Sequence, residues 1–379
     1  MNANNDTFTI DLNVVHGAVA LPLEAQLFPE EMKRAIRLVE EFAEAAQGRQ
    51  KRWDEDQKSM PWKDPELLHE ALLVSGPRGS GKTTFLLSMF RHFHQPQQDG
   101  SHAKRHPKVE VLSPLDPTLV PNGDMFIGAV IANILRRVEG RSYSPTSDRE
   151  LANALQKLSG GLLAAHPDVW KKRLESASSE SAYAEHLLRF SRDGLSLRSH
   201  FGNFVSAAAT QIGVACFVQP IDDVDVAGKE SWNVLEAVRR YLTTPRIMPI
   251  ITGHLPQFRA MVLEEKLGEV PRRRSIAKED GSDAKEALEE ARALANQHLL
   301  KLIRPERRVL LTSARDAIKL WRTTKEVRIV HGAGGASHTI DDLLYPITEW
   351  ILTNKADEPS LDILPENARL MRAFLAWLT

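Results

Sequence analysis

The 379-residue chain is 42% hydrophobic and 26% charged, with a net charge of −1. That is an ordinary globular balance, long enough for two or three packed units, with no global attraction to nucleic acid. The single cysteine excludes a disulfide framework, and no apolar run reaches a membrane span. With a polar opening, Met1 to Asp6, that reads as neither secretory signal nor transit peptide, a cytoplasmic chain with no membrane contact is expected.

In chain order, Thr7 to Val15 reads as a strand. Glu30 to Gln57 reads as a long helix entered after Pro29, with Ile36, Val39 and Phe42 on one stripe. Ala71 to Ser75 is a short apolar strand, and Lys82 to Arg91 a helix carrying Phe85, Leu86 and Met89. His94 to His106 is a polar loop. Val109 to Leu112 predicts a strand and Asp124 to Glu139 a helix. Arg149 to Gln211 is largely helical, with breaks expected at Gly160-Gly161 and near Gly194. Gln211 to Pro220 predicts a strand, with Cys216 a core thiol. Lys229 to Leu242 predicts a helix and Arg246 to Thr252 a further strand. Beyond Gly253 the pattern is helical again, with a hairpin around Glu326 to Val330 and a helix from Leu343 to Lys355. Alternating strands and helices imply a parallel sheet covered on both faces. The expected division is residues 1–64 packing on the core, a core at 65–265 with a helical insertion at about 141–210, and a mainly helical unit at 266–379.

Between the strand at Ala71–Ser75 and the helix at Lys82 lies Gly76-Pro77-Arg78-Gly79-Ser80-Gly81-Lys82-Thr83. It fits the phosphate-loop pattern G-x-x-x-x-G-K-[ST] in the strand–loop–helix setting that the pattern needs. Chance supplies such a match in roughly one chain in a hundred of this length. The glycines permit a curl in which N–H groups from Gly79 to Thr84 face one hollow, at the positive end of a helix. In such a cradle Lys82 reaches the β- and γ-phosphates of a nucleotide, Thr83 coordinates Mg²⁺ and Thr84 bonds the α-phosphate.

Hydrolysis needs a metal-placing and a water-orienting group. Asp222 and Asp223 follow an apolar run, which puts them at the carboxyl edge of the sheet. Asp222 is expected to hold Mg²⁺ and Asp223 to polarise the attacking water, with Asp225 a weaker third carboxylate. Gln219 and Pro220 interrupt the strand before them. Thr252, ending another strand, reads either as a γ-phosphate contact or as a strand-end turn, and His254 is a further polar candidate.

Together, Gly76–Thr83, Ile221-Asp-Asp-Val-Asp225 and Ile250-Ile-Thr-Gly253 resemble the Walker A, Walker B and sensor 1 elements of an AAA+-type ATPase. The doubled aspartate resembles the STAND, KAP and origin-recognition-like branches. Asp116-Pro-Thr118 and Asn296 to Ile303 resemble segments of bacterial ATPases of these branches, some of them antiviral. Pro365-Glu-Asn-Ala-Arg369-Leu-Met-Arg372 is similar to a sensor 2 helix, with Arg369 as its arginine. The resemblance covers roughly residues 65 to 379. It implies a P-loop fold with a C-terminal lid, ATP and Mg²⁺ as cofactors, a homo-oligomer that can close into a ring, and a protein client or effector. A neighbour's arginine would complete each site. Arg307 or Arg308 is favoured over Arg272-Arg-Arg274 because the pair borders a helix. The long interval from Lys82 to Asp222 departs from the pattern and requires the insertion.

Three functions fit: an ATPase driving assembly or remodelling, a nucleotide-gated scaffold with little turnover, and an origin-recognition-like DNA-binding ATPase. Nucleic acid is thus an open partner, unsupported by net charge. Asn354-Lys-Ala-Asp357 and Asp225-Val-Ala-Gly228 have the wording of GTPase motifs. However, D-x-x-G is expected about once per chain of this size, and a whole helical unit separates Asn354 from the last core strand.

Overall fold

The computed structural model describes residues 7–12, 18, 20–21, 26–59, 68–94, 108–120, 126–139, 145–165, 179–274, 282–331, 335–352 and 360–379. In chain order the elements are β1 (Thr7–Asp11), α1 (Pro29–Ser59), β2 (Leu72–Ser75), α2 (Lys82–His94), β3 (Val109–Val111), α3 (Phe126–Glu139), α4 (Pro145–Ala165), α5 (Glu180–Leu195), α6 (Leu197–Ile212) and β4 (Cys216–Ile221). There follow α7 (Lys229–Arg240), β5 (Ile247–Gly253), α8 (Leu255–Arg274), α9 (Ser282–Leu302), β6 (Arg308–Leu310), α10 (Ala314–Thr324), β7 (Glu326–His331), β8 (Ala336–Thr339), α11 (Ile340–Leu352) and α12 (Ala368–Leu378). The polar loop after His94 and the Asn354–Asp357 motif lie outside the described residues.

The chain is mixed α/β around a five-stranded, all-parallel sheet in the order β3-β4-β5-β2-β6. Every residue of β2, β4 and β5 is buried, as strands covered on both faces require. Side chains alternate between the faces. Leu72, Val74, Val218, Met248 and Ile250 meet α1 and α2 through Val39, Phe42, Phe85 and Met89. Leu73, Phe217, Ile221, Ile247 and Ile251 meet α3, α6 and α7 through Ile134, Phe204 and Val234.

The expected interruption by Pro220 is absorbed at the edge of the sheet. Leu115 N–H donates to the Pro220 carbonyl and Asp222 N–H to the Leu115 carbonyl, so the Pro220 nitrogen faces β3, which has already ended at Val111. The Ser113 carbonyl accepts the side-chain amides of Asn133 (2.7 Å) and Gln219 (3.2 Å) instead. A proline beyond the end of its edge neighbour leaves the ladder intact.

Three sequence expectations are corrected. Helix α4 runs through Gly160-Gly161 without a break, because Leu158 and Leu162 pack into the core on either side and offset a helix cost of roughly 1 kcal/mol per glycine. Strand β4 starts at Cys216 rather than Gln211, since α6 continues to Ile212 and is closed by the left-handed Gly213. The expected unit boundary at 265 falls too early. Strand β6 completes the core sheet, and Ala295 and Leu299 of α9 belong to the core cluster.

The amino-terminal segment divides between the two units. Helix α1 packs on the core, whereas β1 pairs in parallel with β7 in a second sheet, ordered β1-β7-β8. The predicted hairpin is the antiparallel β7–β8 pair. Phe8 of β1, Ile318 of α10, Ile329 of β7, Leu344 of α11 and Leu375 of α12 share a separate core, and Phe8 stacks on Trp321 at 4.9 Å. Among the described residues, no helix is long and apolar enough to cross a membrane.

Arg246, 8% exposed, ties the core together at the start of β5. Its guanidinium donates to the carbonyls of Ala215 (2.9 Å), Ser206 (3.2 Å) and Val214 and to the Thr210 hydroxyl (2.7 Å). Arg246→Met keeps the aliphatic volume and strands these acceptors. The expected loss is about 2–4 kcal/mol, since each unpaired buried group costs roughly 1–3 kcal/mol. A lowered denaturation midpoint checks it.

Candidate functional site

Parallel register decides which loops meet. Val74 pairs with Thr252, Ser75 with Gly253, and Ile221 with Ile251. Strands β2, β5 and β4 therefore end side by side, and the glycine loop, Thr252 and Asp222-Asp223 emerge at the same carboxyl edge. The Gly76 N–H donates across it to the Gly253 carbonyl (3.3 Å).

The glycine loop is compact. Gly79 and Gly81 have φ of +81° and +90°, a region that favours glycine. Gly76 is needed for close approach: a Cβ there would lie 2.5 Å from Ser80 Oγ and 3.0 Å from the Leu311 carbonyl oxygen. Pro77 and Gly79 are half-buried, while Arg78 is exposed. Helix α2 starts directly behind the loop, with Phe85 N–H on the Gly81 carbonyl (2.8 Å), so the positive end of its dipole faces the hollow. Lys82 is buried, and its ammonium donates to the carbonyls of Gly76 (3.0 Å) and Pro77 (3.3 Å). The Ser80 hydroxyl is 1% exposed and has no hydrogen-bond partner among the described residues. Thr83 and Thr84 stand half-buried in the first turn of α2.

The acidic turn after β4 is held from β5. The Thr252 hydroxyl donates to Asp222 Oδ1 and accepts the Asp223 N–H (3.0 Å), which also reaches Asp222 Oδ1 (3.1 Å). Thr252, fully buried, thus fixes the turn, and its hydroxyl is already engaged there. Asp223 has the left-handed backbone φ 50°, ψ 36°, a strained conformation for a non-glycine residue and a mark of functional turns. Partial desolvation raises the pKa of its carboxyl above the ordinary range. Asp222 adds to the rise, the Lys82 ammonium opposes it, and Asp225 and Asp116 push further upward. Lys82 and Asp223 therefore share one electrostatic neighbourhood. Asp225 takes the helix-capping role, with Oδ2 accepting the N–H of His254 (2.9 Å) at the head of α8.

Other predicted residues fall elsewhere. Arg307 pairs with Glu70 and donates to the Leu38 carbonyl (3.3 Å), while Arg308 donates to the Ile303 carbonyl (2.9 Å). Both stand at the amino end of β6, across the sheet from the glycine loop. Each is engaged within its own chain. The side chains of Arg272–Arg274 lie outside the described residues. His298, in the Asn296–Ile303 segment, packs on Trp232 (4.9 Å) beside Glu236 (3.3 Å) in the helical layer. Arg369 is exposed in the first turn of α12. Sequence reasoning missed the residue two positions earlier. Asn367 both caps α12 and touches the glycine loop. An asparagine ahead of a helical stripe signals the cap, but nothing in the sequence signals the loop contact.

The hollow has the chemistry to hold a multiply charged oxyanion. Its inventory is a glycine curl at a helix head, an orphan buried hydroxyl at Ser80, and an ammonium resting on carbonyls that an anion would replace. Thr83 and Asp222 are hard oxygen donors of the kind that suit Mg²⁺. No family model matches the chain, and no curated protein does.

Proposed function

We propose that the chain is a Mg²⁺-dependent ATPase with a P-loop core, a helical insertion and a C-terminal lid, akin to AAA+ and STAND-like ATPases. It uses ATP to drive or gate oligomeric assembly or the remodelling of a partner. The observation that carries this reading is the register that brings Gly76–Thr83, Asp222-Asp223 and Thr252 to one sheet edge.

Backbone amides from Gly79 to Thr84 cradle the phosphates, with Gly76, Pro77 and Arg78 forming the rim of the curl. Lys82 exchanges its loop carbonyls for phosphate oxygens, and Thr84 completes the amide and hydroxyl donors at the helix head. Thr83 and Asp222 hold the metal. Bound Mg·ATP supplies the electrophilic phosphoryl group. Asp223 orients a water and takes its proton on the carboxylate, whose raised pKa suits a base. Thr252 keeps Asp222 and the Asp223 amide in place, and Arg369 stands exposed in the first turn of the helix that starts at the loop.

Binding of a fluorescent ATP analogue with Mg²⁺, followed by phosphate release, tests the reading. Tight GTP binding that excess ATP cannot displace would overturn the choice of base. Thr252→Val is expected to keep binding within a few-fold and to lower turnover by about tenfold or more, as a displaced catalytic carboxylate does. Steady-state kinetics with separate binding titrations check this. A particle mass that rises with ATP and Mg²⁺ would support the assembly role.

One observation favours the scaffold reading. Arg307 and Arg308 are engaged inside their own chain, so neither is presented to a neighbour's phosphates, and turnover is then slow. Turnover that climbs steeply on assembly would exclude it.

A further inference from the structure

Helix α12 begins against the glycine loop. Its first amide, the Ala368 N–H, donates to the Gly79 carbonyl (2.9 Å), and the Asn367 side-chain amide donates to the Arg78 carbonyl (3.3 Å). Asn367 Oδ1 accepts the N–H groups of Arg369 (2.9 Å) and Leu370 (3.4 Å). One side chain thus closes the helix start with its oxygen and grips the loop with its nitrogen. The contact is tight: a Cβ on Gly79 would lie 1.9 Å from Asn367 Nδ2. Behind it, the Glu366 carbonyl accepts the Ala314 N–H (3.0 Å) and the Leu364 carbonyl accepts Arg315 Nε, so the grip is anchored to α10.

In a planar trans peptide the C=O and N–H point in opposite directions. Holding the Arg78 and Gly79 carbonyls on the α12 side turns the N–H groups of Gly79 and Ser80 away from it, the Ser80 N–H closing a turn on the Pro77 carbonyl (3.2 Å) that an anion would have to replace. An anion cradle needs this arrangement, with oxygens turned out and consecutive N–H groups turned in.

Resting on the reading of this loop as a phosphate cradle, we propose that Asn367 is a positioning residue for nucleotide. Its side-chain amide holds the Arg78–Gly79 peptide with the Gly79 N–H turned to the phosphate side. It also links the loop to α12, so that nucleotide occupancy and the seating of this helix favour each other by the same factor.

The test separates cap from grip. Serine and aspartate at position 367 both cap a helix. Serine is too short to span to the Arg78 carbonyl, and aspartate has no donor for it. Asn367→Ser and Asn367→Asp are each expected to melt close to wild type. In both, amide hydrogen exchange across Gly76–Gly81 should quicken without nucleotide. The Kd of Asn367→Ser for a fluorescent ATP analogue is expected to rise about five- to tenfold, the worth of one positioning hydrogen bond. Wild-type binding with exchange and affinity unchanged in the variants overturns the role of Asn367 alone. Failure of the wild type to bind, with the loop still loosened in the variants, overturns the phosphate reading itself.

Discussion

Lys82→Ala is expected to abolish ATP binding and leave the fold standing. The Lys82 ammonium is the one cation inside the glycine curl among the described residues, and its hydrogen bonds go to the loop's own carbonyls at Gly76 and Pro77. A triphosphate brought to this edge would otherwise face the carboxylates of Asp222 and Asp223 with only the metal and the helix head to offset the repulsion. Charge-assisted bonds contribute roughly 1.5–3 kcal/mol each, so losing two weakens binding by about a hundredfold or more. The sheet does not depend on the ammonium, since β2 is held by its ladders to β5 and β6 and by Leu72, Leu73 and Val74 in the two cores. Titration with a fluorescent ATP analogue beside a thermal melt decides the matter. Undiminished affinity would remove the loop from the nucleotide site.

Asp223→Ala is expected to do the reverse, keeping ATP bound within a few-fold while hydrolysis falls by about a hundredfold or more, as loss of a proton-accepting group does. Normal turnover would move the base elsewhere. The stability of the fold should respond in an unusual direction. Because desolvation and then Asp222 raise the Asp223 pKa, the native state keeps this proton to higher pH than the unfolded chain. Its contribution to stability is therefore greatest in acid and is lost as the pH climbs through the raised value. At pH 7 the ionised carboxylate weighs against folding, and its left-handed backbone adds roughly 1–2 kcal/mol of strain. An asparagine side chain is uncharged, and this residue type accepts that backbone more readily than most. Asp223→Asn is thus expected to melt above wild type at pH 7, with the gap closing toward pH 4. A lower melting temperature at pH 7 would show that the carboxylate supports the fold.

How much of this was legible in the sequence depended on whether the signal was local. The run Gly76–Thr83 sits between an apolar strand and a helix, so its placement followed from motif and periodicity together. Asp222-Asp223 followed from lying just past a buried strand, although Gln219-Pro220 pointed the other way. No sequence pattern shows that Ser113 has lost its ladder partner and is met by Asn133 and Gln219. Thr252 was ambiguous because a threonine ending a strand looks the same whether it faces a ligand or holds a turn. Only the register against β4 resolves its contacts. The contacts of Arg307 and Arg308 were not legible, because a basic cluster carries no sign of its partners and Glu70 is remote in the chain. The unit boundary failed for a similar reason: the three-residue β6 is too short to stand out between two helices. Asn367 was readable as a cap but not as a loop contact, since that contact depends on how the second unit docks.

The parallel pairing of Thr7–Asp11 with Glu326–Val330 has a bearing on biogenesis. During synthesis the early segment has no mate until its counterpart emerges about three hundred residues later, roughly a quarter of a minute to a minute at ordinary translation speeds. The second sheet therefore cannot close before β7 has emerged. Until that moment both edges of the early strand are open to other chains, and β7 then covers one of them.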